Sequence, residues 1–300
     1  MVMIGNLFQL FKKPDKKVYY NMCIGAICGD IIGSRFEGKQ KPKNKNFTLF
    51  NKDTYFTDDT VHTIAIAEAI LTGGDYVDRL RYYYKRYPYV GYGGSFKKWA
   101  NDKDFSPYNS WGNGSAMRVS PVSYAFGDKE SVLEAAKQSA EGTHNHEYGI
   151  MGAQAIALCI FMARSGNTKE EIKQSIVDMG YDMVDVKEGF EISCQKTIPQ
   201  AVTAFLDSES FEDAIRKAVM YKGDSDTLAC IAGSIAQPFY GNGISAIPKS
   251  ILIQTFERLP EDLSEIAIEF TKKYIDPSFE RPAEMSSQAE FTDLFRSIFS

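Results

Sequence analysis

Three hundred residues, 44 % hydrophobic and 24 % charged, provide enough apolar material for a large core in an ordinary water-soluble fold. A net charge of −5 argues against a chain-wide basic footprint for nucleic acid, and no apolar run reaches the roughly 20 residues of a bilayer span. Five cysteines (Cys23, Cys28, Cys159, Cys194 and Cys230) contain no Cys-x-x-Cys pair, so the thiols read as reduced and the chain as cytoplasmic.

Residues 1–19 read as an N-terminal extension. Its opening run, Met1 to Phe11, is apolar but lacks the basic lead and small-residue cleavage site of a signal peptide. Residues 20–300 read as a single all-α domain. Glu37 closes the glycine-rich segment Gly29 to Gly38, and Lys39 to Lys52 is a lysine-rich loop. Thr57-Asp58-Asp59-Thr60 then stands before Val61, Ile64, Ala65, Glu68, Ala69 and Leu71, a 3.6-residue period stopped by Thr72-Gly73-Gly74-Asp75. Ser131 to Ala140, Thr168 to Met179 and Phe211 to Tyr221 are amphipathic helices, and Gly152 to Ala163 is apolar nearly all round, as a helix buried among helices must be. A second cluster, Asp224-Ser225-Asp226-Thr227, precedes Leu228, Ile231, Ala232 and Ile235, with Pro238 expected to end that helix. Glu261 to Tyr274 is helical, Asp276 to Ala289 is a polar connector, and Phe291 to Phe299 is a short terminal helix. Strand alternation is missing throughout, as is the strand-then-glycine turn of a doubly wound nucleotide fold.

Thr57, with Gly223 or Asp224 in the second cluster, falls where a helix N-cap belongs, and carboxylates in a first turn gain from the exposed N–H groups. A cap uses one acid. The extra acids of Asp-Asp-Thr and Asp-x-Asp-Thr would only repel, unless folding brings the clusters together around a hard cation. Oxygen donors without histidine or cysteine favour Mg²⁺, Mn²⁺ or Ca²⁺ over zinc, magnesium first. Glu37 is a candidate fifth acid. Five negative charges are nearly balanced by two divalent ions and not by one. Gly91-Tyr92-Gly93-Gly94-Ser95 and Ser110-Trp111-Gly112-Asn113-Gly114-Ser115 let backbone amides approach an anion, and Phe105 and Trp111 bracket the second loop with rings able to stack a planar base. His144-Asn145-His146 lacks a third metal ligand, so a hydrogen-bonding role is expected of its histidines.

In chain order, Gly25-Ala26-Ile27-Cys28-Gly29-Asp30 with Glu37, Phe56-Thr57-Asp58-Asp59-Thr60, Gly112-Asn113-Gly114-Ser115-Ala116-Met117-Arg118, Thr143-His144 and Gly223-Asp224-Ser225-Asp226-Thr227 resemble the motifs of the ADP-ribosylglycohydrolase family over roughly Asn21 to Gly241. The resemblance implies an orthogonal all-α fold holding two magnesium ions, with manganese as the alternative. It implies Thr57, Asp58, Asp59, Asp224, Asp226 and Thr227 as metal ligands, and Glu37 as a gate on a mobile loop. It further implies Gly93 and Ser95 along a diphosphate, Ser110, Gly112 and Asn113 on the ribose side, Phe105 and Trp111 around adenine, and His144 beside the distal ribose. The implied substrate is an ADP-ribosylated protein or an ADP-ribose-containing small molecule, cleaved at C1 of the distal ribose by a monomer, with Glu37 or Asp224 as the acid that takes the water's proton. A catalytically silent ADP-ribose reader is the alternative. Two positions depart from the family pattern: Lys222 stands where Gly-Gly-Asp often begins, and Ser115 replaces a glycine.

Overall fold

A computed structural model describes residues 24–38, 41–183, 190–221, 223–241, 246–277 and 279. The N-terminal extension, the terminal helix at Phe291 to Phe299, Cys23 and Lys222 lie outside the described residues, as does most of the connector from Asp276.

Among the described residues the chain is helical, with one isolated antiparallel bridge, Gly112 to Ser193, and no strand. The helices are α1 (Gly25–Ser34), α2 (Asp58–Thr72), α3 (Tyr76–Arg86), α4 (Gly94–Asn101), α5 (Gly114–Met117), α6 (Val122–Ala125) and α7 (Lys129–Glu141). They continue as α8 (Glu147–Arg164), α9 (Lys169–Asp178), α10 (Cys194–Leu206), α11 (Phe211–Met220), α12 (Ser225–Gly241), α13 (Lys249–Phe256) and α14 (Glu261–Tyr274). Side-chain caps set many of the starts: Thr57, Asp75, Asp128 and Ser210 accept from first-turn amides, and Thr168 with Glu171 forms a reciprocal capping box. The expected stop of α2 is the left-handed Gly73, at φ 67°.

One main core runs from Ile24 to Phe279. Fully buried Ile27, Ile31, Phe205, Phe211 and Phe256 each contribute about 1.5–3 kcal/mol by leaving water. As expected of an all-round apolar segment, α8 is largely buried, together with Cys159. None of the described helices is long and apolar enough to cross a membrane.

The seam between α1 and α12 positions the site. Gly25, Gly29 and Gly33 recur every four residues and so share one face of α1. A methyl at Gly29 would overlap the Ala229 carbonyl, and one at Gly33 would overlap Ser225. On the facing helix, Gly233 likewise admits the Gly25 carbonyl. The two backbones therefore touch, which locks the end of α1 against the first turn of α12.

The end of α12 corrects the expectation from sequence. Pro238 lies inside the helix, which continues to Gly241. The ring forfeits one backbone bond, but the neighbouring Gln237 is buried and its side-chain oxygen accepts from Gly25 N at 2.6 Å. Tertiary packing onto α1 holds the last turn where local propensity would stop it.

Candidate functional site: two helix starts share one acidic centre

The acids gather where α2 and α12 begin. Carboxylate oxygens of Glu37, Asp224 and Asp226 lie within 4.8 Å of one another. Asp224 immediately precedes α12, with its carbonyl accepting from Leu228 N at 2.8 Å, and Asn113 Nδ2 donates to its carboxylate at 2.9 Å. Asp226 accepts from Thr227 N at 3.0 Å. Thr57 is the N-cap of α2, followed by half-buried Asp58 and buried Asp59. Thr227 and Cys230, on successive turns of α12, lie beside the Asp59 carboxylate, so the two helix starts meet side by side. Asp58 and Asp59 stand next to the tight trio and share its electric field.

Electrostatics make the cluster costly. Burial, then the charges of Asp30 and Asp224, push Asp58 well above the usual carboxylate range. Asp59 is raised by burial and by Asp30, Asp58 and Asp224, and Asp226 by burial and by Asp224, Asp59 and Glu37. The Asp59 Oδ2 atom is buried without a hydrogen-bond partner. An orphaned acceptor facing a group of hard oxygen donors fits a divalent cation, which supplies both the missing partner and the missing positive charge.

Asp30, which closes the Gly25 to Asp30 motif without a role assigned from sequence, organises half of this centre. Fully buried, it accepts from the backbone N–H and the hydroxyl of both Thr57 and Thr60, with Thr57 Oγ1 at 2.6 Å and Thr57 N at 2.9 Å. Burial raises it to about 6 against the lowering effect of those four donors. Because the Thr57 hydroxyl proton is committed to Asp30, that oxygen presents lone pairs to the site, one of them to Asp59 N at 3.3 Å. A lone acid inside the otherwise uncharged Gly25 to Ser34 run was the available signal. Lys41 also went unremarked. Its ammonium donates to the carbonyl of Gly223, beside Asp224, at 3.0 Å.

The two glycine loops border the acids. Gly93 caps α4, and Gly93 and Ser95 sit exposed at its start, where free N–H groups favour an anion. Gly91, at φ 106°, brings this loop against the start of α2: Asp58 N donates to Val90 O at 2.8 Å, and a methyl at Gly91 would stand 3.2 Å from Asp58 Oδ1. In the second loop, Asn113 N donates to Ile192 O and Cys194 N to Trp111 O, pairing the loop with residues 192–194. Half-buried Ser110 accepts from Gly112 N at 3.1 Å. Ser115, in the glycine position of the family motif, is fully buried and donates to Gly149 O at 2.7 Å.

His144 is buried with its Nδ1 2.7 Å from Thr143 Oγ1, while Arg118 donates to the same hydroxyl at 2.8 Å. Burial and the Arg118 charge hold the imidazole well below its ordinary value, so it is neutral. The Thr143 hydroxyl also lies 3.4 Å from Ala140 O, and the other ring nitrogen of His144, Nε2, faces Gly112 and Gly114. His146 caps α8 by accepting from Tyr148 N. Both histidines thus have the expected hydrogen-bonding roles. Phe105 and Trp111 are each 53 % exposed. One face of Phe105 is covered by the Arg81 guanidinium at 3.9 Å, and Trp111 lies 5.4 Å from the His146 ring.

Fold and site together define an all-helical protein with an acidic, cation-ready centre at the joint of two helix starts and a glycine-lined rim beside it. A family model described as ADP-ribosylglycohydrolase matches residues 14–278, and the chain belongs to that family of metal-dependent hydrolases acting on ADP-ribosyl groups. Among relatives, the ADP-ribosylhydrolase ARH3 of Mus musculus is 28 % identical over 75 % of this chain and 84 % of its own length. Its Homo sapiens counterpart is 27 % identical over 75 % and 85 %. The ADP-ribosylarginine hydrolase Tri1 of Pseudomonas putida is 27 % identical over 52 % of this chain and 46 % of its own. A solved chain described as an ADP-ribosylglycohydrolase-related protein complex shares the fold, with a TM-score of 0.66 over 84 % of this chain and 96 % of that one at 22 % identity.

Proposed function

We propose that this chain is a magnesium-dependent hydrolase, acting as a cytoplasmic monomer. It removes ADP-ribose from modified arginine or serine side chains, or from related ADP-ribosyl conjugates, by cleavage at C1 of the distal ribose. The observation that carries the reading is the convergence of Glu37, Asp224 and Asp226 within 4.8 Å, beside the orphaned Asp59 oxygen. The relatives' names support the substrate class: one is an ADP-ribosylarginine hydrolase and others are ADP-ribosylhydrolases. The buried free thiols Cys28, Cys159, Cys194 and Cys230 support a reducing compartment.

In this reading Thr57, Asp58, Asp59, Asp224, Asp226 and Thr227 hold two Mg²⁺ ions, which orient ribose hydroxyls and acidify water when bound. The chain's own groups do the rest. The amides at Gly93 and Ser95 take the diphosphate, Ser110, Gly112 and Asn113 line the ribose, and Nε2 of neutral His144 hydrogen-bonds to the distal sugar. Trp111, with the open face of Phe105, receives adenine. Departure of the side chain gives oxocarbenium character at C1. The bond from C1 to the side chain breaks as water forms the new bond to that carbon; its proton passes to a carboxylate, and the leaving side chain takes a proton from solvent. Glu37, exposed at the edge of the centre, and Asp224, held by Asn113, are the two acids placed to accept that proton.

Mass-spectrometric release assays on arginine- and serine-ADP-ribosylated peptides, with and without Mg²⁺, test the reading. Asp58→Ala and Asp226→Ala are expected to cut release by about a hundredfold or more while the fold survives. Full activity in either variant, or in excess EDTA, overturns it. Tight ADP-ribose binding without turnover on either linkage would make the protein a silent reader.

A further inference from the structure

Lys41 occupies an unusual place for a lysine. It follows Glu37 by four residues, and the two place an acid by Asp224 and Asp226 and a cation on the carbonyl that precedes Asp224. The segment that follows Lys41 is fastened independently. Arg35 donates to Thr48 O, Arg216 donates to the carbonyls of Lys45 and Phe47 at 2.7 Å each, and Lys45 pairs with Asp213 at 3.2 Å. Lys41 is the anchor on the near side, where no acid takes its ammonium as a salt-bridge partner among the described contacts and a backbone carbonyl does. Partial burial pulls the Lys41 ammonium below its ordinary range, opposed by the nearby charges of Asp226, Asp224 and Glu37.

We propose that Lys41 is a resident counter-cation that sets the divalent-metal affinity of the acidic centre. Its charge offsets part of the carboxylate repulsion in the metal-free protein and repels an incoming divalent ion, so it weakens metal binding by an electrostatic term. The inference rests on the metal reading given above. A unit charge beside a divalent ion, at the intermediate dielectric of a half-buried cleft, is worth about a tenfold change in dissociation constant. Salt shrinks that effect, because Lys41 remains partly open to solvent.

The test is Mn²⁺ titration of the full chain, with free Mn²⁺ read by electron paramagnetic resonance, for wild type, Lys41→Gln and Lys41→Arg at low and high ionic strength. Lys41→Gln is expected to bind Mn²⁺ about tenfold more tightly at low salt, with a smaller gain at high salt, and Lys41→Arg to match wild type. Circular dichroism confirms that each variant is folded, and binding is read without any turnover. Measurable wild-type binding with an unchanged or weaker constant in Lys41→Gln overturns this inference alone. Equal tightening in Lys41→Arg also overturns it, since the charge would not be the cause. Absence of Mn²⁺ uptake by all three proteins overturns the metal reading and takes this inference with it.

Discussion

The α1–α12 seam and the aromatic rim around Trp111 are built on opposite terms. At the seam, glycine faces let two backbones touch, every residue of α1 is buried, and the acids at the helix ends inherit that rigidity. At the rim, Phe105 and Trp111 leave about half their surface in water, one against the Arg81 guanidinium and the other near the His146 ring. The acids proposed to hold a cation are set by the close-packed part of the fold, where small displacements matter most. Phe105 and Trp111, proposed to receive a flat ligand face, stand on loops.

The sharpest way to break this contrast is to wedge the seam. Gly29→Val places a branched side chain against the Ala229 carbonyl and is expected to cost about 3 kcal/mol or more, read as a fall in denaturation midpoint together with loss of divalent binding. A stable Gly29→Val protein with intact metal affinity would show that the seam does not set the acids. Asp30→Ala comes next. It strips four donors of their acceptor and is expected to destabilise the protein by about 2 kcal/mol, a loss held down because the cost of burying a carboxylate disappears with it. Mn²⁺ affinity should fall as Thr57 loses its orientation, and unchanged affinity would remove Asp30 from its supporting role. Smallest is Trp111→Ala: about 1 kcal/mol of ADP-ribose affinity by calorimetry, with the melting temperature unmoved. A large melting shift there would make the rim part of the core after all.

Much of the centre was legible because caps and metal ligands leave short, local patterns. Thr57-Asp58-Asp59-Thr60 and Asp224-Ser225-Asp226-Thr227 begin helices as their residue types require, and Glu37 joins the second cluster. Asp30 escaped because a buried acid inside an apolar helix has no spacing signature, and its partners lie 27 and 30 residues away. Lys41 looked like one more solvated lysine in a basic loop, and the carbonyl it meets is 182 residues distant. The helix that continues through Pro238 is the same lesson from the other side. What a proline forbids locally, a buried glutamine reaching across 212 residues can hold in place.

Asn113 carries a consequence of its own. Its backbone N–H pairs with Ile192 at 2.7 Å while its side chain holds the Asp224 carboxylate at 2.9 Å, so one residue joins the second glycine loop to the acidic centre. Two ligands that share such a joint are thermodynamically linked: whatever a filled ribose pocket does to cation affinity, a bound cation does to sugar affinity by the same factor. Under the proposed function, cation and sugar affinities are expected to depend on each other, and a cation titration repeated with ADP-ribose present reads that dependence.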